Sequence, residues 1–174
     1  MKKLLVVVDM QNDFIDGTLG SPQAEAIVPN AVNKILKWNG DIICTKDTHT
    51  ADYISTREGK HLPVSHCIKD TNGHRIHPEI LRALVEKKTA IMLDKYTFGS
   101  TVLPELIRPL RYDYIELIGL CTDICVVSNA MILKAHFPEI DIAVDASCCA
   151  GVSIESHEAA LTTMKMCQIN IIGE

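Results

Sequence analysis

The sequence predicts a three-layer α/β/α fold built on a mostly parallel, Rossmann-like six-stranded sheet. Three observations predict it. Apolar, β-branched runs of strand length recur along the 174 residues. Helical patterns lie between them, as βαβ units require. The first run, Leu4 to Val8, is apolar throughout and ends on Asp9. That is the pattern of a strand covered on both faces.

The elements follow in order. Lys3–Val8 is the first strand, and Ala24–Lys37 carries the first helical pattern. Asp41–Thr45 reads as the second strand. Beyond it runs a polar, irregular stretch from Thr48 to His77 with five of the seven histidines. A connector that long in a compact domain points to function. Pro78–Val85 is helical, with proline at its start. Thr89–Leu93 is a strand, Val102–Ile107 a helix and Tyr114–Gly119 a strand. Asp123–His136 is a helix: Thr122 and Asp123 are good caps, and Val126, Val127, Ala130, Met131 and Leu133 recur at helical spacing. Ile140–Val144, Ser156–Met166 and Gln168–Ile172 complete the alternation as strand, helix and strand.

A chain of this length is expected to form one domain, residues 1–174, and its 47% hydrophobic content supplies a core. Net charge is -5 with no basic stripe, which argues against a nucleic-acid partner. Apolar runs are far too short to span a membrane. Met1-Lys2-Lys3 and the run after it resemble a leader, but Asp9, Asp13 and Asp16 break the pattern, so the expected location is cytoplasmic. Seven cysteines, none spaced Cys-x-x-Cys, point to free thiols.

In a parallel sheet the strand ends share one edge, where ligands bind. Asp9 ends the first strand, Asp47-Thr48-His49 follows the second, Lys95 the third, and Gly119 to Cys125 the fourth. Buried cysteines are mostly inert. Cys125 differs because it falls in the first turn of a helix, where backbone N–H groups and the dipole favour a thiolate and can bind an oxyanion. Asp9 could serve as base and Lys95 could keep it ionised, the logic of a nucleophile, base and orienter. Read singly, Asp9 is a capping or paired acid and Lys95 a solvated charge. Asp47-x-His49 places two ligands on one side of an extended segment. With His66, and with Glu58 and His61 in the same loop, it forms a metal-site pattern; the alternative is a solvated, histidine-rich loop. No Gly-x-Ser-x-Gly, Walker loop or Gly-x-Gly-x-x-Gly is present.

Three segments carry a resemblance. Val6-Val-Val-Asp-Met-Gln-Asn-Asp-Phe14, Lys95-Tyr-Thr-Phe-Gly-Ser-Thr101 and Gly119-Leu-Cys-Thr-Asp-Ile-Cys-Val126 resemble the signatures of the isochorismatase-like cysteine hydrolases. Asp145-Ala146 and His157 to Leu161 fit the family's last part. Asp47-Thr-His49 and Ser65-His-Cys67 resemble the metal motifs of its nicotinamidases. The resemblance implies a catalytic triad of Asp9, Lys95 and Cys125 and a cis peptide between Leu120 and Cys121. It implies an oxyanion hole from the Cys121 and Cys125 N–H groups. Asp47, His49 and His66 would hold one divalent ion (zinc, or iron or manganese), with Glu58 or His61 as a further ligand. Phe14 and Leu120 would contact a small-molecule amide, nicotinamide first, and a homodimer or larger homo-oligomer is expected. The chain departs from nicotinamidases ahead of His66, where it reads His61-Leu62-Pro63-Val64-Ser65 and not the usual Trp-Pro.

Overall fold

The computed structural model describes residues 1–88 and 90–173. Its six strands are β1 (Lys3–Val8), β2 (Asp41–Asp47), β3 (Ala90–Lys95), β4 (Tyr114–Leu120), β5 (Asp141–Ala150) and β6 (Asn170–Ile172). They form one sheet in the order β3-β2-β1-β4-β5-β6, and every pairing is parallel. The predicted fold class is therefore borne out. Thr89, the expected start of the third strand, lies outside the described residues, as does Glu174.

Alternation along β1 explains the two cores. Leu5 and Val7 face one layer with Ile42, Ile118, Ile35 and Leu84; Leu4, Val6 and Val8 face the other with Leu117, Ala130, Leu133 and Leu161. The first layer is α3 (Val28–Lys37) and α5 (Pro78–Lys87); the second includes α6 (Val102–Ile107), α7 (Val127–His136) and α8 (Ile154–Met166). All five residues Leu4 to Val8 are fully buried. Burial of each such side chain stabilises by roughly 1.5–3 kcal/mol.

A short helix, α1 (Asn12–Ile15), follows β1, and the predicted helix Ala24–Lys37 is two helices, α2 (Pro22–Ala26) and α3, joined at Ile27. Pro29 is the cause. It lacks an N–H and its ring crowds the carbonyl four residues back, so a helix can start there but not run through. Ser21 caps α2 by accepting from the Ala24 N–H at 3.1 Å. Strand β5 runs on to Ala150, past the predicted Val144, with a register shift opposite Leu117 and Gly119. The last strand begins at Asn170, because Gln168 sits in the left-handed region at φ 64°. Within the histidine-rich stretch, Thr56 caps a short helix, α4 (Arg57–His61), which carries Glu58 and His61. Bridges of His49 to Ile68 and Gln11 to Ile76 fold the stretch back onto the sheet edge.

Candidate active site

Register brings the site together. Val8 pairs with Thr45 on one side and Gly119 on the other, and Asp47 pairs with Lys95. The residues that end β1 to β4 therefore share one edge. Asp9 turns the chain out of β1 at φ 49°, a conformation uncommon for a non-glycine residue. Gly119 has φ 121°, and a Cβ there would drive into the Val8 carbonyl oxygen, so only glycine lets β4 approach β1 this closely.

Asp9, Lys95 and Cys125 meet at that edge and all are buried. Lys95 Nζ lies 2.6 Å from Asp9 Oδ2, 3.2 Å from Asp47 Oδ1 and 3.5 Å from Cys125 Sγ. Thr45 Oγ1 donates to Asp9 Oδ1 at 2.7 Å. Asp9 Oδ2 has no hydrogen-bond partner of ordinary geometry, although Lys95 Nζ lies 2.6 Å away. Burial raises the Asp9 pKa and outweighs the pull of Lys95. Burial, and then Asp9, hold the Cys125 thiol well above its ordinary value, against Lys95. Lys95 itself is held above its ordinary range, because Asp9, Cys125 and Asp47 outweigh its own desolvation.

These directions correct two expectations. The segment Thr122–Val126 is a π-helical turn leading into α7, and its cap is Cys121 with no side-chain bond. Thr122 and Asp123 do not cap it. Thr122 Oγ1 sits 2.8 Å from His157 Nδ1, and Asp123 accepts from the Val152 N–H at 3.1 Å. Cys125 is buried in this turn, so desolvation outweighs any preference of a helix start for thiolate, and the thiol is the favoured form. At Asp9, Lys95 pulls the pKa down, as the expected role requires, but burial raises it further. The peptide between Leu120 and Cys121 is cis, as the resemblance implied.

Beside Lys95 stand Asp47, His49 and His66, whose ligand atoms all lie within 4.8 Å of one another. His49 Nε2 is 2.8 Å and His66 Nε2 3.6 Å from Asp47 Oδ2. Glu58 Oε1 lies 3.6 and 3.9 Å from the same two nitrogens. His61 stands apart, in the wall of the neighbouring cavity. The residues fit a divalent cation on their own chemistry. His49 Nε2 is buried yet makes no hydrogen bond despite its closeness to Asp47, so it faces the carboxylate without donating to it. His66 Nδ1 meets the Val64 carbonyl at 2.8 Å, which places the proton there and turns the Nε2 lone pair toward Asp47. Two imidazoles and a carboxylate suit zinc, iron or manganese. Burial alone would raise Asp47 and lower His66; instead His49 first, then His66 and Lys95, bring Asp47 below the ordinary carboxylate range, and Asp47 lifts His66.

The sequence reading missed what anchors this set. Gln11 is fully buried; its Nε2 donates to the Asp47 carbonyl at 2.8 Å and its Oε1 accepts from the Asp47 N–H at 2.7 Å. The strand-end position of Gln11 was the one available signal.

Phe14, Leu62, Phe98, Leu120, Ile124 and Val152 wall a cavity of about 550 Å³, which also touches Cys121, Cys125, Asp47 and His66. Phe14 and Leu120 thus lie where expected, whereas Leu62 and Phe98 had been given no role. A larger depression of about 870 Å³ lies against α5 and β3, and Asp9, Lys95 and Cys125 are absent from its walls.

The profile of the Isochorismatase domain matches residues 3–173. This chain belongs to the isochorismatase family. Within it, the chain is 25% identical to a nicotinamidase of Escherichia coli over 94% of this chain and 90% of that one. It is 26% identical to the nicotinamidase/pyrazinamidase of Mycobacterium tuberculosis, over 98% of each. Among isochorismatase-fold structures, a nicotinamidase/pyrazinamidase from Bacillus subtilis superposes with a TM-score of 0.86 at 25% identity, covering 99% of this chain and 100% of that one. A Pyrococcus horikoshii pyrazinamidase in complex with zinc gives 0.84 at 26% identity, covering all of both.

Proposed function

We propose that this amide hydrolase takes nicotinamide, releasing nicotinic acid and ammonia through a thioester on Cys125. The observation that carries the reading is the meeting of Asp9, Lys95 and Cys125 beneath a cavity that also touches Asp47 and His66. Asp9 takes the proton from Sγ, and its raised pKa makes it a better base for a raised thiol. The sulfur forms a bond to the amide carbonyl carbon. The Cys121 and Cys125 N–H groups face the oxygen that gains charge. The C–N bond breaks as Asp9 returns the proton to the leaving ammonia, and water then hydrolyses the thioester. Lys95 stays an ammonium throughout and keeps Asp9 and the sulfur aligned.

Asp47, His49 and His66 would hold the divalent ion, with Glu58 beside them. That ion supplies an electrophilic anchor for a ring nitrogen. The whole chain acts as one hydrolase domain in this reading, and as a homo-oligomer. Among the described residues no helix is long and apolar enough to cross a membrane.

Ammonia release from nicotinamide, pyrazinamide and N-carbamoyl compounds tests the proposal. Turnover of nicotinamide that Cys125→Ala abolishes supports it. Turnover of an N-carbamoyl compound alone moves the chain to another substrate class. No turnover, with Cys125 inert to iodoacetamide, leaves a ligand-binding protein.

A further inference from the structure

Asn129 lies on α7, four residues after Cys125, and is fully buried. Asparagine is a poor helix former, and a buried amide is costly unless its bonds are made. Here they are. Nδ2 donates to the Cys125 carbonyl at 2.8 Å and to the Phe98 carbonyl at 3.2 Å. Oδ1 accepts from the Ser100 N–H at 2.9 Å. One side chain thus ties the backbone of the Cys125 turn to the segment that follows Lys95. That segment also holds the lysine, because Lys95 Nζ donates to the Thr97 carbonyl at 3.2 Å. Thr97 Oγ1 in turn donates to the Gly99 carbonyl at 2.7 Å. The tie reaches the cavity as well, since Phe98 forms part of its wall.

We infer that Asn129 is a positioning residue that keeps Cys125 and Lys95 in register, an inference that rests on the amide-hydrolase reading above. The two groups come from separate segments, and no other side chain bonded to the Cys125 carbonyl joins them among the described residues. Near-attack geometry is steep in distance: a displacement of about 1 Å can cost about a hundredfold in rate. Packing alone does not account for Asn129, because an apolar residue of similar size would fill the same space without three partners to satisfy.

Two substitutions separate positioning from stability. Asn129→Ala removes all three bonds. Asn129→Thr restores one, because a threonine hydroxyl in a helix bonds the carbonyl four residues back, here that of Cys125, but it cannot reach Phe98 and Ser100. Asn129→Ser does the same if the threonine methyl crowds the site. The Ala variant is expected to melt at a lower temperature and to lose about a hundredfold in kcat. The hydroxyl variant should recover part of the melting temperature yet remain about tenfold low in kcat, with KM within about twofold. Iodoacetamide alkylation of Cys125, mapped by mass spectrometry at neutral pH, should be several-fold slower in both variants. Wild-type kcat and alkylation rate in the hydroxyl variant would overturn the inference. So would recovery of kcat in step with melting temperature. If wild-type protein releases ammonia from no amide, the functional reading fails, and the alkylation rates alone still decide the role of Asn129.

Discussion

Two lysines in this molecule sit between two carboxylates, Lys34 half-buried and Lys95 buried, and only Lys95 lies at the proposed reacting site. Lys34 on α3 lies 2.6 Å from Glu116 Oε1 and 2.7 Å from Asp145 Oδ2. Lys95 lies 2.6 Å from Asp9 Oδ2 and 3.2 Å from Asp47 Oδ1. The charge pattern is the same. What differs is what remains unsatisfied. Around Lys34, Tyr114 Oη donates to Glu116 Oε2 at 2.8 Å, and Ser147 donates to Asp145 Oδ1 from both its N–H and its hydroxyl. Around Lys95, one Asp9 oxygen and one His49 nitrogen make no hydrogen bond, and a thiol lies 3.5 Å away beside a cavity. A lysine between acids is therefore no sign of chemistry; unspent bonding capacity at a cavity is.

The largest effect should come from breaking the side of the comparison proposed to react. Cys125→Ala is expected to abolish amide turnover while shifting the melting temperature by only a few degrees, since the replacement is small and apolar. Asp9→Asn should lower kcat by about 10²–10⁴, the usual worth of a positioned base, because an amide cannot accept the thiol proton. Steady-state kinetics with calorimetry on the same samples checks both. Normal turnover in either variant would remove the chemical distinction between the two lysine clusters.

Lys95→Met sharpens the contrast from the other direction. Lys95 is 2% exposed, so its loss leaves Asp9 buried without a counter-charge and takes one from Asp47. Removing one partner of such a pair costs about 3–5 kcal/mol, and here turnover should fall as well. Chemical denaturation and kinetics should both change. Stability lost with activity intact would make Lys95 a structural charge like Lys34.

Metal content follows. Protein purified without chelator is expected to carry one divalent ion per chain, and His66→Ala should lose most of it by elemental analysis. Each imidazole must be neutral to bind. Asp47 lifts the His66 pKa above 6.5, so protons compete from above that pH and affinity should fall steadily as the solution is acidified. Equal metal content at pH 5.5 and 8 would sink the assignment.

Much of this was legible in the sequence, and the boundary has a physical cause. Strand β1 could be read because burial on both faces demands an unbroken apolar run, and parallel register then carried Asp9, Asp47 and Lys95 to one edge. The limits were local. Pro29 divides a helix that hydropathy spacing joins. The π-turn at Thr122–Val126 has no spacing signature, and with it went the expected caps. Gln11 and Asn129 were not singled out because their partners are backbone atoms, some of them 29 to 63 residues away. Backbone carbonyls carry no identity in a sequence. Phe98 and Leu62 belong to the same class, since which side chains wall a cavity depends on how loops close over it.

The smallest expected effect belongs to the quiet cluster. Lys34→Met should leave kcat and KM within about twofold of wild type, because no atom of the cluster touches the Cys125 cavity. It should still cost stability, by roughly 1–3 kcal/mol, less than for a fully enclosed pair because Lys34 retains a quarter of its exposure. The pH dependence fixes the sign. Desolvation opposes the charge on Lys34, but Asp145 and Glu116 outweigh it and push the pKa up from 10.5 to about 12. That contribution is fully present below pH 10.5 and is lost as pH rises toward 12. Burial likewise opposes the Asp145 charge, but Lys34 and Ser147 hold its pKa below 3.8. Its contribution is present above pH 3.8 and is lost as pH falls through the lower, folded value. Melting temperature followed from pH 3 to 11.5 should therefore fall at both ends in the wild type. In Lys34→Met the alkaline limb from this lysine disappears, and the acid limb weakens because Asp145 no longer gains from ionising beside a cation. Superimposable profiles for the two proteins would mean that the Lys34 charge does nothing for the fold, and the comparison would then lose its structural half.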